Sequence, residues 1–276
     1  MSDEYGIRLA VLIDAQVVAT TEDGFRRHLG ASVIGRSCQR KIWFGFRWAD
    51  VEPFSGRMLR LFERGQLEEE RFVRFLNLVG ATIYTHQDNG KQYGVSYHGD
   101  HFSGSTDGVA VNLPDLDEPV LLEMKTHGIK SFEKLVAAGV REAKPEHYRQ
   151  MMVYCHGLSL NKALYLAVCK DTDELHIELL DYDPEMARAM VDKAESIIFG
   201  EGLPPRISEK PSFWECRFCA MAAVCFKDKP PLRNCRTCRF SKPERTGGWS
   251  CGLGKEEIGT QPKVGCWQYE VIPDLV

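Results

Sequence analysis

Phe102-Ser-Gly-Ser-Thr-Asp107-Gly-Val-Ala-Val111 and, beyond a Pro-Asp turn signal, Val120-Leu-Leu-Glu123-Met-Lys125 are the two stretches that decide how this chain is read. Short apolar runs bounded by Gly, Asn and Pro predict neighbouring strands. Asp107 stands sixteen residues before Glu123. Side chains alternate along a strand, so Glu123 and Lys125 share one face while Met124 points into the packing on the other.

Outward from this pair, runs at 81–85 and 92–97 complete an expected antiparallel meander. Residues 57–79 alternate charged and apolar positions at helical spacing, through Leu59, Phe62, Leu67, Phe72, Phe75, Leu76 and Val79, and Gly80 supplies a stop. Helical periodicity returns over 131–139 and 145–158. Strands at 162–169 and 175–182 follow, then a helix over about 184–199. The order helix, strands, helix, strand predicts an α+β fold with helices packed on a mixed sheet.

The chain has 276 residues, 43% of them apolar, enough to bury a sizeable core. Its net charge of −4 conceals two basic windows. Residues 26–64 hold nine lysines and arginines against three acids, and residues 206–245 hold ten against four. No stretch approaches the roughly 18 consecutive apolar residues of a membrane span, because the run Leu9–Val18 is interrupted by Asp14 and Gln16. With no recognisable secretion signal, the expected location is the cytoplasm of a bacterial or phage-infected cell. Among ten cysteines, the two Cys-x-x-Cys pairs, Cys216/Cys219 and Cys235/Cys238, then favour metal over disulfides.

Two carboxylates and a lysine on adjacent strands suit phosphodiester hydrolysis. Carboxylate oxygens hold a hard divalent cation, the cation polarises a phosphate and acidifies water, and an ammonium group steadies the developing charge. Taken singly the members are weak signals, since Glu-x-Lys on a strand is usually a solvated pair and an Asp between Thr and Gly is often a turn residue. Their ordered combination carries the reading.

Asp107 and Glu123-Met-Lys125 resemble the PD-(D/E)XK nuclease superfamily, in its RecB-like and phage recombination exonuclease branches. Gly65-Gln-Leu-Glu-Glu69 on the preceding helix and His147-Tyr-Arg-Gln150-Met-Met-Val-Tyr154 on a following one extend the match over most of residues 30–226. The resemblance implies a restriction-endonuclease-like core, a mixed central sheet flanked by helices, closed by a cysteine-rich, metal-bound C-terminal region. It also implies an Mg2+- or Mn2+-dependent deoxyribonuclease of phage recombination or repair type. Asp107, Glu123 and the Met124 carbonyl would be metal ligands and Lys125 would stand beside the nucleophilic water. Glu69, with a one-residue ambiguity in Glu68-Glu69-Glu70, would complete the metal environment, and Gln150 and Tyr154 would contact the site and DNA. DNA is the implied substrate, and a single-strand-annealing or recombination protein a candidate partner. A structure-selective endonuclease and a non-catalytic DNA-binding or assembly protein are the alternatives.

Cys216-Arg-Phe-Cys219 with Cys225 gives three thiols in ten residues, one short of a tetrahedral site. Cys38 supplies the fourth by resemblance to the iron–sulfur RecB-like nucleases, in which one early and three late cysteines hold a [4Fe–4S] cluster that joins the ends of the nuclease domain. Four thiolates also suit zinc. Cys235, Cys238, Cys251 and Cys266 form a second, local set read as a zinc site, which divides the chain into a nuclease domain at 1–230 and a zinc-binding tail at 231–276. Arg233, Arg236, Arg239, Lys242 and Arg245 would give this tail a basic face, while Trp249 and Trp267 could instead cover an apolar face of the nuclease domain. Cys155 and Cys169 lie among apolar neighbours and are expected in the core.

Alternation sets His98 and His101 on opposite faces, against a shared metal site. His127 is expected near the substrate or exposed. Trp43, Phe44 and Trp48 lie among basic residues, where core packing and base stacking compete as roles. Nothing resembles a phosphate-binding Gly-x-x-x-x-Gly-Lys loop, which argues against an ATP-driven motor.

Overall fold

The structure, a computed structural model, describes residues 2–21, 24–254 and 263–275. Its elements in chain order are α1 (Ser2–Ala19), β1 (Leu29–Gly30), α2 (Ala31–Ile34), α3 (Gln39–Phe46), α4 (Gly56–Leu78), β2 (Thr82–Tyr84), β3 (Gly94–Tyr97), β4 (Phe102–Ser105), β5 (Gly108–Val111) and β6 (Val120–His127). They continue with α5 (Ile129–Ala143), α6 (Pro145–Leu158), β7 (Lys162–Cys169), β8 (Leu175–Asp181), α7 (Pro184–Phe199), α8 (Trp214–Arg217), α9 (Ala222–Cys225), β9 (Ser241–Pro243) and β10 (Trp249–Cys251). The fold is α+β, with mixed sheets flanked by helices.

Alternation along β6 and β7 sets the layers. The main sheet has the order β2-β5-β6-β7-β8, parallel only between β6 and β7, whose connection runs through α5 and α6. Leu122, Met124, Leu164, Leu166 and Val168 point to one face and pack with Phe72 and Leu76 of α4. Leu121, Ala163, Tyr165, Ala167 and Cys169 point to the other, into the larger core with α5, α6 and α7. Glu123, Lys125 and His127 belong to the second face by alternation, so the charged row lies under α6.

The expected meander is only partly formed. The run 102–111 breaks at Thr106-Asp107 into β4 and β5, which enter different sheets, β4 lying between β1 and β3. The Thr106 amide donates to the Tyr93 carbonyl at 2.8 Å, and Gly108 takes a φ of 147° that side chains disfavour, so the chain redirects just after Asp107.

Two helical regions are absent from the sequence reading. α1 has apolar residues around its circumference, including exposed Tyr5, Ile7, Val11 and Leu12, so its period is blurred. It lies on the N-terminal half of α4, where Gly56 meets the Asp14 backbone and Arg60 pairs with Asp14. The single buried face expected for α4 is correspondingly confined to its C-terminal half, with Phe62 and Leu67 exposed. The second region is α2 and α3, which bury Ile34, Trp43, Phe44 and Phe46. Trp43, Phe44 and Trp48 are therefore core residues and do not face bases.

Residues beyond 231 pack closely onto this core. Trp249 and Leu275 enter the main cluster, and the Leu232 amide donates to Ala49 O at 2.8 Å. Arg236 is buried: its guanidinium lies 3.9 Å from the Trp48 ring and 4.7 Å from the Trp249 ring and donates to Phe46 O at 2.8 Å and to Arg27 O. Arg47 is buried beside it, donating to Ser241 O at 3.1 Å, with burial pushing its pKa down to about 10. The expectation of Arg236 on a basic face is thus corrected: cation–π contact and backbone carbonyls hold it inside. Trp249 covers the core, whereas Trp267 is exposed. Cys155 and Cys169 are fully buried, as expected.

Candidate active site

The break before β5 and the middle of β6 bring two motifs together. Asp107 Oδ2 accepts the Met124 amide at 2.7 Å and the Lys125 ammonium at 3.3 Å. Lys125 Nζ also lies 2.6 Å from Glu123 Oε1 and donates to Met124 O at 2.9 Å. Three oxygens expected to bind a cation, Asp107 Oδ2, Glu123 Oε1 and Met124 O, therefore converge on one positive nitrogen.

Helix α6 closes the other side. Gln150 and Tyr154 share a helix face at a spacing of four. Gln150 Nε2 donates to Glu123 Oε2 at 3.3 Å and to the Tyr154 hydroxyl at 3.4 Å. The Tyr154 hydroxyl needs Gly104, where an added Cβ would lie 2.6 Å from it. Sequence reasoning quoted Gly104 but gave it no role; only the β4–α6 contact reveals one.

Glu123 is completely buried, and burial, reinforced by Asp107 and opposed by Lys125, pushes its carboxyl up to about 7. Burial opposes the charge on Lys125 too, yet Glu123 and Asp107 together hold it protonated well above the ordinary lysine range. Glu69 on α4 is raised to about 6 by partial burial and by Asp107. Its neighbour Glu68 instead pairs with Arg71 at 3.2 Å, so the residue in electrostatic reach of the centre is Glu69.

One further buried polar atom bears on a cation here. Among the described residues Glu123 Oε1 has no hydrogen bond of good geometry and is balanced by the nearby Lys125 ammonium. A buried carboxylate oxygen balanced by one ammonium and lacking a well-directed hydrogen bond is costly, and a hard divalent cation among carboxylate and carbonyl oxygens would satisfy it. The donor set fits such an ion with two carboxylates and one carbonyl. No group of three His, Cys, Asp or Glu side chains is placed to hold a metal among the described residues.

The row extends past Lys125 through residues to which the sequence gave no definite role. Tyr165 on β7 has its hydroxyl 2.9 Å from His127 Nε2 and 2.8 Å from His147 Nδ1. Burial and surrounding lysines lower His127 to about 4 and His147 to about 3, so both rings are neutral at neutral pH. His127, expected near substrate or exposed, is instead buried. A helical spacing of His147, Gln150 and Tyr154 could have flagged His147; nothing in sequence flags Tyr165, which reads as an ordinary core residue. His98 and His101 bond separate carbonyls, Val191 O and Glu244 O, and form no joint site.

Cys38, Cys216, Cys219 and Cys225 line one cavity of about 360 Å³, together with Lys41, Trp214 and Phe218. Burial and the neighbouring thiols raise Cys216, and burial raises Cys219. No disulfide links cysteines among the described residues. In the second set, Cys251 lies on β10 opposite Ser241, Cys238 bridges to Val271, and Cys266 O accepts from Arg233 at 2.7 Å.

Comparison with known proteins gives likeness of fold alone. No family model and no curated protein matches the sequence. Among solved structures, the chain is similar to an alkaline exonuclease, LHK-Exo, from Laribacter hongkongensis, at 14% identity and a TM-score of 0.46, over 66% of this chain and 90% of that one. LHK-Exo in complex with dAMP gives 14% and 0.46 over 67% and 89%. A third structure, of SSO0001, is similar at 15% identity and a TM-score of 0.43 over 82% of this chain and 96% of that one. At these values the arrangement of side chains, not the likeness, has to support a function. Among the described residues no helix is long and apolar enough to cross a membrane.

Proposed function

We propose that this chain is a divalent-cation-dependent DNA nuclease of the PD-(D/E)XK type, acting foremost as an exonuclease. The observation that carries the reading is the convergence of Asp107 Oδ2, Glu123 Oε1 and Met124 O on a single point, marked here by Lys125 Nζ. Those oxygens would hold Mg2+ or Mn2+, which when bound supplies charge neutralisation of the phosphate and acidification of water.

The chain's own residues do the rest. Lys125, held protonated by two carboxylates, stabilises negative charge gathering on the phosphate oxygens. Gln150 fixes Glu123 through Oε2 and leaves Oε1 turned to the centre. Tyr154, seated against Gly104, bounds the site opposite Asp107. Glu69 adds a third negative charge at the edge. Basic residues of the two windows hold the backbone with little sequence preference, but Arg47 and Arg236 are withdrawn from that role by burial.

Cys38, Cys216, Cys219 and Cys225 form a clasp for a [4Fe–4S] cluster, supported by their shared cavity. Four thiolates also suit a single zinc ion. Cys235, Cys238, Cys251 and Cys266 form a zinc site in the tail. The decisive experiment incubates purified protein with linear, circular and branched DNA. Degradation of linear DNA with Mg2+ or Mn2+, absent with Ca2+ or EDTA and absent in Asp107→Asn, is expected. Equal cleavage by Asp107→Asn would overturn the reading, and cleavage confined to branched DNA would replace the exonuclease by an endonuclease.

A further inference from the structure

The polar row on β6 does not stop at the catalytic centre. Beyond His127 it reaches Ser131 in the first turn of α5, whose hydroxyl lies 3.4 Å from His127 Nδ1. The Ser131 hydroxyl also accepts a hydrogen bond from Lys144 Nζ, at the junction of α5 and α6.

Lys144 is partly buried, and no carboxylate pairs with it among the described residues. Burial and Lys134 both press its pKa down. Two carboxylates from outside α5 that touch it are engaged elsewhere: Asp171 accepts the Ile129 amide at 2.7 Å and Glu178 the Val140 amide at 2.9 Å. The serine hydroxyl accepts from one of the three ammonium N–H groups and neutralises none of its charge. The result is an uncompensated cation, a hydroxyl and a neutral imidazole gathered at the end of the catalytic row, with Lys125 and Lys170 near enough to act on His127 as well.

Two residues along a strand advance about 6.6 Å, on the scale of one nucleotide step. His127 follows Lys125 by that interval, so the row runs away from the catalytic centre on the scale of one nucleotide, with Ser131 and Lys144 beyond His127. We propose that Lys144 and Ser131, backed by the buried His127, form a phosphate-binding subsite that holds the DNA phosphate adjacent to the one being cleaved. This inference rests on the nuclease reading. Lys144 supplies the charge and Ser131 orients it, making the pair determinants of substrate register that leave the bond-breaking chemistry to Asp107, Glu123 and Lys125.

The test measures DNA binding in Ca2+ across a salt series, and steady-state cleavage in Mg2+, for the full chain and for Lys144→Ala, Lys144→Arg and Ser131→Ala. Loss of one phosphate contact should lower the slope of log affinity against log salt by about 0.9 for duplex or about 0.7 for single strands. Lys144→Ala should raise KM on the order of tenfold, a loss equivalent to one charge-assisted contact, and Lys144→Arg should restore the slope. Should Lys144→Ala not fold, as judged by circular dichroism, Lys144→Gln replaces it. A parallel substrate lacking its terminal phosphate separates the sources: an effect that vanishes assigns the subsite to an end phosphate, one that persists to an internucleotide phosphate. Unchanged slope and KM in a folded Lys144 variant of an active chain would overturn the subsite and leave the nuclease reading standing. DNA binding without cleavage by the unaltered chain would remove the nuclease reading, while the slope still decides the subsite. A chain that binds no DNA removes both.

Discussion

The Met124 backbone amide donates to Asp107 Oδ2 at 2.7 Å, so the aspartate that ends one strand run is fastened to the strand carrying the other two catalytic candidates. This bond continues the β5–β6 pairing beyond its last ladder position, Gly108 opposite Leu122. It fixes one carboxylate oxygen while leaving the other uncommitted to the backbone.

Asp107→Asn, Glu123→Gln and Lys125→Ala are each expected to reduce cleavage by about 100-fold or more, the scale on which removing one preorganised electrostatic group acts. Circular dichroism should show the fold retained in all three. Wild-type rates in a folded Lys125→Ala variant would remove that lysine from the chemistry.

In the cation-free protein Glu123 is raised to about 7 and Glu69 to about 6, so apparent Mn2+ affinity, measured by calorimetry, should strengthen between about pH 6 and 8 as the cation displaces these protons. Stability of the cation-free protein follows the opposite course. A carboxyl raised in the folded state contributes stability that is complete below the unfolded value near 4.3 and is lost as pH rises through about 7. The difference in Tm between wild type and Glu123→Gln should therefore change in favour of Gln from pH 5 to 8. A difference independent of pH would show that Glu123 is already ionised throughout.

His127 and His147, lowered to about 4 and about 3, have the reverse sign. Their contribution is present above the unfolded histidine value near 6.5 and is lost as pH falls through the folded values. Acid loss of Tm should begin below about pH 6.5 and be reduced in His147→Gln, whose amide can still serve the Tyr165 hydroxyl. NMR titration showing either ring protonated at pH 6 would contradict this.

Anaerobically purified protein should be brown, and Cys38→Ala should bleach it as fully as Cys219→Ala, because both line one cavity. A clasp between position 38 and positions 216–225 closes a very long loop, so Tm should fall in both variants. Elemental analysis giving zinc without iron would replace the cluster and keep the clasp.

Arg236→Ala should cost about 2–4 kcal/mol, since it leaves the Phe46 and Arg27 carbonyls without their buried donor and empties the space between Trp48 and Trp249. Urea unfolding measures it. A loss below about 0.5 kcal/mol, the range of ordinary surface substitutions, would mean that the tail is held by other contacts.

Periodicity by itself determined the α+β plan, the bounds of α6, β7 and α7, and the common face of Glu123 and Lys125, because these depend on local spacing within one element. The set Glu69, Asp107, Glu123, Lys125, Gln150 and Tyr154 was legible as motifs. The break of 102–111 into two sheets was not, since it depends on Tyr93, just before β3, accepting the Thr106 amide. α1 was hidden by an apolar circumference that shows no single period. Arg236 looked like a surface cation because charge in a sequence carries no information about burial; three aromatic rings and two carbonyls from far positions decide that. Likewise Tyr165, Ser131 and Lys144 are unremarkable where they stand in the chain. Only the parallel pairing of β6 with β7, through α5 and α6, sets them in line with Lys125.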